Sequence, residues 1–207
     1  GAHDIERQYP NVFWMKQLGA TVIPVTTGAS TLKDALDEAL RDWSSSYENT
    51  HYLIGTSCGC APYPEMVAGF QSVIGEEVKE QSLTQFGKYP DRIYACVGGG
   101  SNACGIFLPF VDTQTELVGV EADGRGNAPG EHAMRFNTSQ ARFGIAQGFA
   151  TRFLQNSEGQ LQATHSISAG LDYVGVSPIL ADLEEQGKVR MTSANDAEVI
   201  EAFKRLT

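Results

Sequence analysis

The sequence predicts an α/β fold of parallel sheets flanked by helices. Three observations carry that reading. Ile93-Tyr94-Ala95-Cys96-Val97 is a continuous apolar run of the kind a parallel sheet buries on both faces. A glycine-rich turn, Gly98-Gly99-Gly100-Ser101-Asn102, follows at once and leads into an apolar helical stretch through Phe107 and Phe110. Leu117-Val118-Gly119-Val120-Glu121 is then a second buried strand, which completes a strand–loop–helix–strand unit.

The remaining elements follow from periodicity and caps. Residues 4–18 read as helix. Residues 21–25 read as a strand, placed at an edge or an end by Pro24. Thr31-Leu32-Lys33-Asp34 is a capping-box pattern with Asp in place of Glu. Behind it Leu32, Ala35, Leu36, Ala39, Leu40 and Trp43 share one helical face. Residues 51–54 read as a short strand ending at Gly55. A helix is expected from near Pro64 to near Gly87, with Met66, Val67, Phe70, Val73, Ile74 and Val78 as its buried stripe. Residues 122–170 are rich in Gly, Asn, Ser and Gln and show no long periodic element; a compact domain seldom carries so much irregular chain without a use for it. Residues 177–187 read as a short helix. The last helix starts at Ser193-Ala194-Asn195-Asp196, and Val199, Ile200, Phe203 and Leu206 line its face.

Composition narrows the function. The 207 residues are 42% hydrophobic and 19% charged, which fits a folded chain with a real core. No apolar run approaches the roughly 20 residues of a membrane helix. Fifteen basic against 25 acidic residues give a net charge of −10, the wrong sign for a phosphate-backbone binder, so neither nucleic acid nor membrane is an expected partner. The cysteines at 58, 60, 96 and 104 are too few for a disulfide scaffold, Cys58-Gly59-Cys60 lacks a second pair at zinc spacing, and Cys96 reads as a small buried hydrophobe. A reducing, cytoplasmic compartment is the simplest reading. No basic-plus-apolar leader is present at the start. Both ends read as interrupted, since the first residue is not Met and the last stop inside an amphipathic pattern.

The glycine turn is the first candidate site. Three glycines let the backbone approach an anion closely, and a helix start converges free N–H groups on one point. Ser101 adds a hydroxyl and Asn102 an amide. The chemistry this suits is a phosphate monoester or a carboxylate, with a tight turn holding no ligand as the other reading. A Walker loop is excluded because no Lys follows. The dinucleotide fingerprint fits only in its loose form ending in Ala103, with Glu121 near the place of its acid, so a nicotinamide cofactor stands as a runner-up.

The block Ala95-Cys96-Val97-Gly98-Gly99-Gly100-Ser101-Asn102-Ala103 resembles the phosphate loop of tryptophan synthase β subunits, which are fold-type-II pyridoxal-phosphate enzymes. Asn11-Val12-Phe13, Met15, Leu18-Gly19-Ala20, Thr31-Leu32-Lys33-Asp34-Ala35, Glu38-Ala39-Leu40-Arg41-Asp42-Trp43 and His51-Tyr52 are similar to that family's mobile subdomain. Phe70-Gln71-Ser72-Val73-Ile74-Gly75-Glu76-Glu77 and Ser166-Ile167-Ser168-Ala169-Gly170-Leu171-Asp172-Tyr173 match as well, in order and nearly end to end.

The resemblance implies a reaction joining L-serine to indole, giving L-tryptophan and water, with pyridoxal phosphate as cofactor. By it, Gly98, Gly99, Gly100, Ser101 and Asn102 hold the cofactor phosphate and Gly55 and Thr56 lie beside its ring. Asp172 is the carboxylate that swings in on closure over the amino acid. Lys33 contacts an α subunit, and the backbone carbonyls at Gly98 and Tyr173 hold a monovalent cation. The family's enzyme is a homodimer that pairs with α subunits. Residues 1–56 then belong to the mobile N-terminal subdomain and 57–207 to the larger cofactor-binding domain.

Departures matter equally. None of Lys16, Lys33, Lys79, Lys88, Lys188 and Lys204 has the His-Lys-x-Asn context of the family's cofactor lysine. The expectation is an internal fragment, roughly the middle half of a β subunit, inactive alone. Cys58-Gly59-Cys60-Ala61 replaces the usual Gly-Pro-His before Pro-Tyr-Pro. Residues 134–154 and 174–183 follow the family poorly. Another fold-type-II enzyme, such as a serine or threonine dehydratase, and a non-catalytic fragment that binds the α subunit are the alternatives.

Overall fold

Pro10 splits the first expected helix. The computed structural model describes residues 1–207 and shows α1 at Ala2–Arg7 and α2 at Tyr9–Gln17, with Pro10 in the first turn of α2 where its missing N–H is tolerated. Helix α3 covers Leu32–Ser46, and its start is the predicted capping box: Asp34 Oδ2 accepts from the Thr31 N–H and hydroxyl, each at 3.1 Å. Residues 21–25 and 51–54, expected as strands, pair with no other strand. The Val25 carbonyl instead accepts from Ala2 N–H at 2.8 Å, so it serves a helix start. These elements make one compact unit, Gly1–Leu53; a second is Ile54–Thr207. Gly55 and Thr56 therefore fall in the second unit, because the chain there packs on the glycine turn.

The second unit opens with α4 at Tyr63–Gln71 and α5 at Val73–Phe86, where one helix was expected. Ser72 marks the break: its hydroxyl donates to the Ala68 carbonyl at 2.8 Å. The expected stripe is only partly covered. Val67 is buried, but Phe70 is 77% exposed and Met66 and Val73 also face out. Strand β1 (Arg92–Val97), helix α6 (Ser101–Phe107) with a 3-10 turn at Leu108–Phe110, and strand β2 (Glu116–Gly124) form the predicted unit. A hairpin missed by the sequence reading follows, β3 (Ala141–Ala146) and β4 (Phe149–Leu154). Its two-residue turn has positive φ at both Gln147 and Gly148. Helix α7 is Pro178–Glu185, and β5 (Arg190–Asn195), also missed, leads directly into α8 (Asp196–Leu206). The α8 cap is Asn195 paired with Glu198, not Ser193, which lies in β5.

The sheet order is β1-β2-β5, all parallel, so β1 is an edge. Its residues alternate between exposed and buried. Tyr94 is 58% exposed and Cys96 is exposed as well, which corrects the expectation of a strand buried on both faces and of a buried Cys96. One face of β1 is covered by α6, and the core gathers there around Val97, Phe107, Phe110, Val176 and Leu180. The opposite face of β1 has no such cover. The face of α8 is likewise open, with Phe203 and Leu206 exposed.

Candidate functional site

The turn 98–102 lies at the carboxyl end of β1, where ligands collect in parallel sheets. Two neighbours force glycine here. A Cβ on Gly99 would sit 2.1 Å from Thr56 Oγ1. Gly100 has φ +106, and a Cβ there would meet Leu180 at 2.6 Å. The Gly99 carbonyl accepts from the Ser177 N–H at 2.9 Å and from the Cys58 thiol at 3.1 Å. Cys104 Sγ lies 3.5 Å from both Ser57 Oγ and Ser177 Oγ, which ties the segment 56–58, helix α6 and the start of α7 together. Burial pushes the Cys58 thiol up to about 12 and also raises Cys104. Both therefore act as neutral structural thiols.

The donor set suits a phosphate monoester. Ser101 heads α6, so the first-turn N–H groups lack intrahelical acceptors, and its side chain is half-buried at the opening. Asn102 points elsewhere: its amide donates to the Cys96 carbonyl at 3.0 Å, so its side chain fixes the turn. Gly98 packs on residues 170–171, with the Gly170 carbonyl 2.6 Å from a notional Cβ. That contact sets Leu171, the residue before Asp172, against the turn. Asp172 follows a 3-10 turn at Ala169–Leu171 and is half-buried. The next residue, Tyr173, donates from its hydroxyl to Gln147 in the hairpin turn.

Behind the turn lies a buried charge pair. Arg135 is 0% and Glu121 1% exposed, with Arg135 Nε 2.9 Å from Glu121 Oε1. Glu121 also accepts the backbone N–H groups of Arg135 and Phe136 at 2.9–3.0 Å. Burial raises the Glu121 pKa, against the Arg135 charge and the two N–H donors that lower it. A carboxylate so enclosed cannot reach a ribose hydroxyl, which removes the one acid that favoured a nicotinamide cofactor. Arg135 Nη1 donates to the Tyr173 carbonyl at 2.7 Å, and Nη2 to the carbonyls of Val97 at 2.9 Å and Gly98 at 2.8 Å. The carbonyls expected to hold a monovalent cation, at Gly98 and Tyr173, each accept an N–H of this guanidinium.

Lysines lie elsewhere. Lys88 pairs with Asp91 at 2.9 Å and Lys188 with Asp112 at 3.0 Å, both at the amino end of the sheet, opposite the turn. Lys79 sits over the Phe110 ring, 5.6 Å from its centroid. In the first unit Lys33 is in the first turn of α3, half-exposed, and bonds Asp37 Oδ2 at 2.8 Å.

Sequence reasoning missed Arg135 and Ser177, and it placed Glu121 at a cofactor ribose where the structure pairs it with Arg135. Carbonyl acceptors leave no trace in side-chain identity. The available signal for Arg135 was its place in residues 134–154, where the chain departs from its resembled family.

A family model described as pyridoxal-phosphate dependent enzyme matches residues 7–207. The tryptophan synthase beta chains of Methylobacterium sp. (strain 4-46) and Methylobacterium nodulans are each 53% identical over 205 residues, covering 99% of this chain and 50% of theirs. The chain spans about half the length of the curated relatives it matches.

Proposed function

Because the chain belongs to the family of pyridoxal-phosphate-dependent enzymes, we propose that it is the middle half of a tryptophan synthase β chain and carries that enzyme's phosphate loop and closing carboxylate. The observation that carries this reading is the packing of residues 170–171 on Gly98 at the carboxyl end of β1. Two segments far apart in sequence meet there, and in this reading they are the two that the cofactor and the substrate need.

The reaction joins L-serine to indole and releases water. Bound pyridoxal phosphate supplies an electron sink for the charge that develops at the serine α-carbon. The chain's own residues bind, orient and enclose. The backbone of 98–102 and the Ser101 hydroxyl hold the phosphate, and Gly55 and Thr56 border the ring. Asp172 closes over the amino acid and excludes water. Lys33 faces an α subunit, and the whole enzyme works as a homodimer in the cytoplasm, with residues 1–56 as part of its mobile subdomain and 57–207 as part of the larger one.

The isolated 207 residues are inactive in this reading. Covalent cofactor attachment and proton transfer at the α-carbon need a positioned lysine, and no His-Lys-x-Asn stands in the sequence. Two experiments test the proposal. Pyridoxal phosphate titrated into the chain, followed by borohydride reduction, is expected to label no single lysine stoichiometrically. A chimera carrying this chain in place of the matched half of the Methylobacterium nodulans protein is expected to make tryptophan from serine and indole. Asp172→Ala in that chimera is expected to cost roughly 100-fold or more in rate. A chimera that folds, binds the cofactor and forms no tryptophan would sink the reading.

A further inference from the structure

The carbonyl cluster behind the glycine turn already contains a cation that is part of the chain. The oxygens of Val97, Gly98 and Tyr173 converge on one buried point, and the Arg135 guanidinium fills it with N–O distances of 2.7–2.9 Å. Converging carbonyl dipoles are the environment that strips a small monovalent ion of its water. Here a planar group with fixed N–H directions takes those dipoles instead. Its charge is matched by Glu121, whose two oxygens face Arg135 and the N–H groups of residues 135 and 136. The pair is therefore electrically complete. An added ion on the same oxygens would bring a second positive charge against a guanidinium in a site closed to water.

The residues do not fit a bound ion. We infer that Arg135 is a built-in replacement for a monovalent cation, which leaves this chain independent of alkali-metal and ammonium ions. Arg135 acts as a positioning residue. It joins the end of β1, the first residue of the glycine turn and the residue after Asp172, and so fixes the spacing between the phosphate loop and the closing carboxylate. The inference about the ion rests on the chain's own contacts. Only its consequence for turnover rests on the reading under Proposed function.

The test reads stability, so it needs neither cofactor nor activity. The 207-residue chain is melted in chlorides of sodium, potassium, caesium, ammonium and tetramethylammonium at fixed ionic strength. Its Tm is expected to agree across all five within about 1 °C. Arg135→Ala opens the carbonyl cluster and leaves Glu121 uncompensated. Its Tm is expected to fall, and then to rise saturably with potassium or free guanidinium but not with tetramethylammonium. Should that variant fail to fold, Arg135→Lys, which keeps one ammonium, is expected to melt below the native chain and to remain indifferent to the ion. Saturable stabilisation of the native chain by one small cation over tetramethylammonium would overturn the inference. So would a folded Arg135→Ala variant with no ion response. Ion indifference together with a chimera that makes no tryptophan would overturn the functional reading and leave this inference standing.

Discussion

Within residues 1–53 a single side chain, Val12, is buried, while residues 54–207 enclose an apolar cluster around Phe107, Phe110 and Leu180 and a complete ion pair beside it. In the first unit the side-chain devices act over a few residues. Asp34 caps the start of α3, Lys33 bonds Asp37 one turn away, and Arg41 pairs with Glu38. The second is held across long stretches of chain. Arg135 reaches 37 and 38 residues back and 38 residues forward to find its carbonyls. Short-range devices stabilise by tenths of a kcal/mol up to about 1, whereas a buried network is all or nothing.

That contrast can be broken by substitution. Arg135→Ala should destabilise the second unit by about 3–5 kcal/mol, because it strands a buried carboxylate. Hydrogen exchange read by mass spectrometry should show the loss in residues 54–207 and not in α3. Equal loss of protection in both units would erase the distinction. Leu180→Ala, which removes a fully buried side chain packed on Gly100, should cost about 2–5 kcal/mol in the same region.

Acid should separate the units in order. His132 is 1% exposed, its Nδ1 accepts the Met134 N–H at 3.1 Å, and burial lowers its pKa. The neutral ring is the form the fold keeps, so the unfolded chain takes up more protons, and stability of the second unit should decline as pH falls below about 6.5. At Asp34 burial works against ionisation, yet the Thr31 N–H and hydroxyl, Lys33 and the Ala29 N–H outweigh it and hold the carboxyl below its usual range. Its contribution is present above pH of about 4 and is lost as pH falls further. Exchange in α3 should therefore rise only after the second unit has begun to loosen. The reverse order would contradict both assignments.

Smaller effects sharpen the same boundary. Thr31→Ala should cost about 1 kcal/mol, confined to α3 and visible as fraying of its first turn by exchange. Alkylation near pH 8 should modify Cys96 first and Cys60 next, leaving Cys58 and Cys104 untouched until the second unit opens.

The same division decides what was legible in the sequence. Helix α3 and its cap followed from periodicity and from the Thr31–Asp34 spacing, because the forces that make them act within one turn. The unit β1–loop–α6–β2 was legible because the runs 93–97 and 117–120 carry no charged residue and its glycines are contiguous. Strand β5 was not: Arg190-Met191-Thr192-Ser193-Ala194-Asn195 has no apolar period, and its pairing with β2 is what makes it a strand. The runs at 21–25 and 51–54 failed for the opposite reason, having suitable residues and no partner strand. Exposure of Cys96 depended on which face of an edge strand is covered, which no local pattern records. In the site, the turn 98–102 was picked out by its glycines and helix start and Asp172 by resemblance, but the guanidinium that joins them stands midway between the two in sequence and carries no motif.

The clamp also sets an order of events during synthesis. Arg135 follows Gly98 by 37 residues and precedes Tyr173 by 38. At a ribosomal rate of roughly 5–20 residues per second, about 2–8 s separate each pair. The nascent chain carries its glycine turn through both intervals with its seal missing. The turn is thus translated before both parts of the clamp that seals it, and is closed only when the carbonyl of Tyr173 arrives.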